Sequence, residues 1–328
     1  MPLILGPEAV RAATNMRQMI DLIEAGILEQ AYGQAEVPPR LNLPTSNGFF
    51  RVMPAVLRGR GLMGFKIFNG SVEHGVRYLI GIYDERSGEL LALMDAAYLT
   101  GARTGATTGV ATRYQARANS TRVGVIGSGL EARTNLSAVC AVRPIRAAKV
   151  YSPTAANRER FAAEMSATLN IDITPSTSPQ AAVAGTDIVV VCTNTTQQHN
   201  AFAYLGAWME PGQHVNSIGS TGGKLREIDP ETFTRADRVV VDSLVQVEQE
   251  CGDALETRER GLWDRSKVYE LTAIVTGTPA REREDQTTLF KSVGTGLQDV
   301  VAGFAVFEEA RRLGLGLQID DFLEHKRF

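Results

Sequence analysis

The segment Arg122-Val-Gly-Val-Ile-Gly-Ser-Gly-Leu-Glu-Ala132 constrains the fold more than any other part of the chain. A short apolar run passes into Gly127-x-Gly129-x-x-Ala132 and then into a helix-like stretch, Leu130 to Val142. Each position has a physical reason. Gly127 makes the tight turn, Gly129 lets backbone approach a pyrophosphate, and small Ala132 lets helix pack on strand. The helix N-terminus then turns free N–H groups toward an anion. The expectation is a nicotinamide or flavin dinucleotide contacted by Gly127, Ser128, Gly129, Leu130, Glu131 and Ala132.

From this point strand-like and helix-like segments alternate. The expected order is a strand at 122–126, a helix to 142, a strand at 147–151, a helix near 156–168 and a strand near 171–173. A short helix at 179–184 and apolar runs at 187–193, 214–218 and 238–242 follow. Alternating strands this apolar argue for a parallel sheet covered on both faces. The predicted fold class is α/β, a Rossmann-type doubly wound parallel sheet domain over residues 113–296. Ahead of it, residues 8–31 read as one amphipathic helix, and 49–55, 62–68, 77–84 and 90–95 as strands of an antiparallel, hairpin-rich module. Residues 296–313 read as a helix with an apolar stripe of Leu297, Val300, Val301, Phe304, Ala305 and Phe307. If that helix packs back on the first module, residues 1–112 and 297–328 make a discontinuous α+β domain. The charged run 281–285 reads as a solvated loop.

A chain of 328 residues has room for two such domains. A net charge of −3 with 22% charged residues leaves no basic stripe for a polyanion, so no nucleic-acid partner is expected. No apolar window is long enough to span a bilayer, and the short apolar start followed by Glu8 and Arg11 does not read as a signal peptide. Cys140, Cys192 and Cys251 are far apart and without CxxC spacing, which fits a reduced, cytoplasmic setting. His74, His199, His214 and His325 are scattered, so no metal is expected.

Several residues are placed to do chemistry. The second strand of the nucleotide fold ends at Ser152, where an NAD enzyme usually carries an acidic residue for the ribose 2′-OH. Ser152, Thr154 and Asn157 are able to bond a 2′-phosphate and Arg158 to pair with it, which favours NADP and leaves NAD possible. The alternative is that Thr154 caps the next helix and Arg158 is solvated. Thr193, Asn194 and Thr195 fall at a strand's C-terminal end, beside the crevice where ligands bind. Alternation puts Lys66 on the face opposite Phe65 and Ile67, as for a solvated lysine or a functional one. Arg103 falls near a helix start, where a cation opposes the macrodipole and suggests an anion nearby. Arg40 follows two prolines that stiffen its approach. Together Arg40, Lys66 and Arg103 suit a carboxylate clamp.

These residues lie in a set of motifs that resembles the ornithine cyclodeaminase/mu-crystallin family over nearly the whole chain. The motifs are Pro-Pro-Arg40, Gly-Phe-Lys66, Gly-Ala-Arg103-Thr104, Gly127-Ser-Gly-Leu-Glu-Ala132, Val215-Asn-Ser-Ile-Gly-Ser220, Arg226-Glu-Ile-Asp229 and Thr288-Leu-Phe-Lys-Ser-Val-Gly294. The resemblance implies a homodimer built through the N-terminal module, with the active site in the cleft between domains. It implies that Arg40, Lys66 and Arg103 grip a substrate carboxylate, that Thr104 and Ser220 lie near the cofactor, and that Ser292 and Gly294 lie beside the nicotinamide. Two positions depart from the pattern. Thr221 stands where the cyclodeaminase branch has a catalytic Asp, and a threonine is no general base near neutral pH without help. The mu-crystallin branch, similar to ketimine reductases, also has a hydroxyl residue there. Glu131 stands where Gln is frequent, and a carboxylate so near a pyrophosphate weakens binding unless it points away.

The expected activity is NAD(P)H-dependent reduction of a small 2-imino acid or cyclic ketimine carboxylate, or the reverse amino-acid dehydrogenation. Alternatives are a cyclodeaminase-type lyase with catalytic NAD and a non-catalytic NADPH-binding, crystallin-like protein.

Overall fold

Along Leu90–Asp95 buried and half-buried residues alternate strictly, the signature of a strand with one face in a core. That strand is the seventh of a sheet that begins with β1 (Leu3–Leu5), β2 (Ala35–Glu36), β3 (Leu41–Thr45) and β4 (Gly48–Leu57). It continues with β5 (Leu62–Ser71), β6 (Gly75–Asp84) and β7 (Leu90–Asp95). The computed structural model describes the chain apart from residues 72, 194–201, 220, 321, 325, 327 and 328. Asn194, Thr195, Ser220, His199 and His325, named above, therefore lie outside the described residues.

In this first sheet β4 to β7 form an antiparallel meander, β3 adds to β4, and β1 pairs with β7 in parallel. The single helix expected over 8–31 is two helices, α1 (Pro7–Ala12) and α2 (Met16–Ala31). The break has a local cause: Thr14 Oγ1 donates to Val10 O, and Asn15 caps the second helix by accepting from Gln18 N at 3.2 Å. The C-terminal helix, Gly296–Leu313, packs on β4, β5, β6 and α2. Glycines permit the close approach: a Cβ on Gly303 would meet Ile80 and Ile82 at 2.8 Å, and one on Gly26 would meet Val301 at 2.9 Å.

Contacts divide the chain into two units, Met1–Arg103 with Thr295–Phe328, and Thr104–Gly294. The boundary falls within α3 (Ala97–Gln115). The second unit holds β8 (Arg122–Ile126), α4 (Leu130–Val142), β9 (Ala147–Tyr151), α5 (Ala155–Leu169) and β10 (Asp172–Pro175). Next come β11 (Ile188–Val191), β12 (His214–Ser217), β13 (Arg238–Val241), β14 (Val268–Glu270) and β15 (Thr288–Lys291). All pairings are parallel, in the order β10-β9-β8-β11-β12-β15-β13-β14. Alternate residues of one strand feed two cores: Val189 and Val191 enter one, Ile188 and Val190 the other. This is why the run is apolar throughout rather than alternating. The order reverses between β8 and β11, which makes their carboxyl ends the switch point of a Rossmann-type sheet. The expected strands are present, and β15 is inserted between the two at 214–217 and 238–241. No helix among the described residues is long and apolar enough to cross a membrane.

The run 281–285 is not simply solvated. Arg281 is half-buried and donates to Gln115 O, Gly212 O, Gln286 O and Thr288 Oγ1, so one side chain ties three chain segments together.

Candidate functional site

Lys66 lies on β5 with its side chain 2% exposed, so the alternation holds but the lysine is on the core face. The Phe65 and Ile67 face is the half-buried one. What makes an ammonium tolerable there is Asp299, in the first turn of the C-terminal helix. Its Oδ1 accepts from Lys66 Nζ at 2.9 Å and from Arg103 Nε at 2.8 Å. Arg103 Nη1 also donates to Gln298 Oε1 at 2.8 Å. Asp299 Oδ2 is buried without a hydrogen-bond partner among the described residues. The Lys66 ammonium sits over the Phe68 ring, 5.1 Å from its centroid.

Burial, helped by the Arg103 charge, pushes Lys66 down to about 7, against the pull of Asp299; the charge of half-buried Arg40 lowers it further. The three residues of the expected carboxylate clamp, Arg40, Lys66 and Arg103, are therefore electrostatic neighbours, while Thr221, the other residue expected at the reacting centre, is not among the charges that act on Lys66. With Lys66 protonated, three cations gather at this site, an arrangement able to take up a carboxylate. The helix-start argument for Arg103 needs correcting. The helix opens at Ala97, so Arg103 lies in its second turn, beyond the reach of the macrodipole, and its anion is Asp299.

Asp299 and Gln298 were missed by reasoning from sequence. Asp299 fell inside a helix read for its apolar stripe, and its partner lies 233 residues away. The available signal was a charge in a helix buried nearly all round.

In the second unit, Gly127 has φ +119° and donates its N–H to Tyr151 O at 2.8 Å. A Cβ there would stand 2.3 Å from Cys192 O. Gly129 is the N-cap of α4, no side chain caps that helix, and a Cβ on Gly129 would meet nothing within 4 Å. A helix N-terminus without a side-chain cap at a switch point, with room around Gly129, fits a dinucleotide pyrophosphate. Ala132 is fully buried against the sheet, Ser128 and Glu131 are half-buried, and Leu130 is exposed. Gly127→Ala is expected to destabilise the fold by about 1–3 kcal/mol through forced positive φ and to weaken dinucleotide binding. Thermal unfolding and a fluorescence titration read the two effects, and unchanged values in both would contradict this account.

Ser152 is buried at the end of β9. Thr154 is at the N-cap of α5, but its side chain makes no capping bond. Arg158 Nη1 donates to Ser152 O at 3.0 Å, which keeps the guanidinium beside that strand end. Thr104 is buried next to Arg103 in α3, and Thr221 is half-buried.

Carboxylates hold the other strand ends. Thr193 donates N–H and Oγ1 to Glu227 Oε1 at 2.7 and 3.2 Å. Past β15, Ser292 Oγ and Gly294 N both donate to Asp242 Oδ2, at 2.6 and 2.7 Å, and Val293 N donates to Oδ1. Gly294, at φ +82°, closes that turn. Burial pushes the three thiols up, Cys140 to about 12 and Cys251 to about 11, so they act as small core residues. His214, pushed down to about 3 by burial, is neutral and hydrogen-bonded to Thr288 and Asn216.

The model of the ornithine cyclodeaminase/mu-crystallin family matches residues 2–313. A Δ1-pyrroline-2-carboxylate reductase of Bacillus cereus is 31% identical over 97% of this chain and 99% of its own. The solved Δ1-pyrroline-2-carboxylate reductase of Thermococcus litoralis, in complex with NADH and L-proline, superposes with a TM-score of 0.91 at 35% identity, covering 97% of this chain and all of that one. An archaeal alanine dehydrogenase dimer with bound NAD gives 0.89 at 29% identity over 98% of this chain and 99% of its own.

Proposed function

Since the chain belongs to the ornithine cyclodeaminase/mu-crystallin family, we propose that it reduces the C=N bond of a small cyclic 2-imino acid, of the Δ1-pyrroline-2-carboxylate kind, with a nicotinamide cofactor. The observation that carries this reading is the buried Lys66–Asp299–Arg103 cluster. It combines clustered positive charge for a carboxylate with an ammonium poised to lose a proton near neutral pH.

A bound reduced nicotinamide supplies the hydride that adds to the imine carbon. The C=N electron pair then moves to nitrogen, which must gain a proton. Lys66 Nζ gives that proton directly or through a water, and a pKa near 7 lets it donate at neutral pH and be recharged from solvent. Arg103 and Arg40 hold the substrate carboxylate, and Asp299 fixes Lys66 and Arg103 against each other. Thr221, having no carboxylate, leaves no general base for redox-neutral deamination at that position.

The cofactor site is built from Gly127, Ser128, Gly129, Leu130, Glu131 and Ala132, with Thr104, Thr193, Ser292 and Gly294 around it. NADPH is favoured over NADH, because Ser152 brings no negative charge to the ribose and Arg158 stays close to it. The protein works as a homodimer. Across four strands, Leu41, Val52, Ile67 and Leu79 stand in one cross-strand row opposite the Lys66 face, with Leu41 and Leu79 exposed.

The experiment is a paired titration with NADPH and NADH, followed by loss of reduced-nicotinamide absorbance with Δ1-pyrroline-2-carboxylate and Δ1-piperideine-2-carboxylate. Oxidation of the cofactor by either imine is expected, with NADPH bound more tightly. Cofactor binding without oxidation by any cyclic or open-chain imino acid would overturn the reductase reading, and tighter NADH binding would overturn the preference.

A further inference from the structure

Parallel pairing between β11 and β12 ends with Val191 opposite Ser217 and one further bond, Ile218 N to Val191 O. Beyond it no further backbone bond joins the two strands among the described residues, although their exits lie where a doubly wound sheet receives its ligand. One buried side chain bridges them. Glu227 Oε1 accepts from the N–H of Thr193 at 2.7 Å, while Oε2 accepts from the N–H of Gly219 at 2.8 Å and from Ser217 Oγ at 2.7 Å.

Two further features belong to this bridge. A Cβ on Gly219 would lie 2.3 Å from Glu227 Oε1 and 2.4 Å from Thr193 O, so the exits approach this closely only around a glycine. Lys291, at the end of β15, donates to Ser217 Oγ at 2.9 Å, pairs with Asp253 at 2.8 Å and stands 3.8 Å from Glu227 Oε2. Asp253 Oδ1 in turn accepts from the backbone N–H of Glu227 at 2.7 Å, which holds the glutamate from behind. Both oxygens of Glu227 face donors only, a demand that a carboxylate meets and an amide cannot.

We propose that Glu227 is a positioning residue for the cofactor: by joining the exits of β11 and β12 it fixes the surface that receives the nicotinamide half, while β8, α4 and β9 receive the adenosine half. This rests on the nicotinamide-dependent reductase reading above. The nicotinamide half and the adenosine half therefore have separable supports.

Glu227→Gln places an NH2 group against one of the two backbone N–H donors and forces the exits apart. The test measures Kd for NADPH, NADH and ADP, together with kcat for imine reduction and the thermal midpoint, in wild type and variant. The dinucleotides are expected to bind roughly tenfold to a hundredfold more weakly, the loss of one or two charge-assisted bonds, with kcat reduced and ADP affinity unchanged. Gly219→Ala, which drives a methyl into the same bridge, is expected to reproduce the pattern and serves if Glu227→Gln does not fold. Wild-type protein that binds no dinucleotide overturns the reading and the proposal together. Wild-type protein that binds and reduces, with both folded variants matching it, overturns the proposal alone. Equal losses for ADP and the dinucleotides also overturn it, because they mark Glu227 as support for the whole domain.

Discussion

Replacing Lys66 with methionine is expected to lower kcat for imine reduction by ~10²–10⁴-fold, the usual loss when a positioned proton donor is removed. Methionine keeps the length and apolar stem of the side chain but can neither donate a proton nor carry charge. Arg103 stays paired with Asp299 in the variant, so part of the carboxylate clamp survives and KM rises less than kcat falls. The pH dependence separates this role from a merely structural one. Lys66 lies at about 7 in the free protein, lowered first by burial, and kcat/KM reports groups of the free enzyme. For reduction the ammonium form is the active one, so wild-type kcat/KM falls as pH rises through about 7. For amine oxidation the neutral form is needed, and the same limb rises. Lys66→Met lacks that limb in both directions. Turnover within a few-fold of wild type, or an unchanged pH limb, would remove Lys66 from the reaction.

The second large effect is on stability. Asp299→Asn leaves two cations with no buried anion between them, a change that costs about 3–5 kcal/mol when one partner of a buried pair is removed. The loss depends on pH in a defined direction, because Lys66 has an escape that Arg103 lacks. Its folded pKa of about 7 is below its ordinary value of 10.5, so between these the unfolded chain binds more protons and wild-type stability rises with pH. Asp299 raises the Lys66 pKa, and without it the lysine gives up its proton at still lower pH. Below about 7 the variant lacks an ion pair that wild type has in full. At higher pH Lys66 is neutral in both, and only the Arg103 share of the loss remains. Denaturant midpoints at about pH 6 and about pH 9 should show the larger deficit at the acid end. Equal deficits would mean that Asp299 stabilises through Arg103 alone.

The parts of this molecule legible in the sequence are those set by neighbours along the chain. The turn at Gly127, the uncapped helix after it and the doubly apolar strands are each specified within about a dozen residues. The bounds of the C-terminal helix, 296 and 313, are legible for the same reason. Two differences from the sequence pattern have local causes: Asn15 is a helix cap within an amphipathic pattern, and Ala97 opens α3 earlier than the glycines around Arg103 suggest. The others were beyond local reasoning. Insertion of β15 between β12 and β13 is a matter of strand order, which no periodicity encodes. Arg281 reads as one charge in a charged run and becomes a bracket only when Gln115 and Gly212 arrive beside it. Strand alternation leaves Lys66 open between a solvated lysine and a functional one, and only the distant Asp299 decides for the buried face.

The separation of Lys66 from Asp299 also has a meaning for synthesis. A chain made from its N-terminus has β5 and Arg103 in hand long before the helix that begins at Gly296, with the whole of Thr104–Gly294 produced in between. Throughout that interval the sheet that carries Lys66 lacks both the helix that covers it and the anion that neutralises it. The first-made half thus stays open until the last helix arrives, and the reaction chemistry cannot be assembled on a chain that stops short of Asp299.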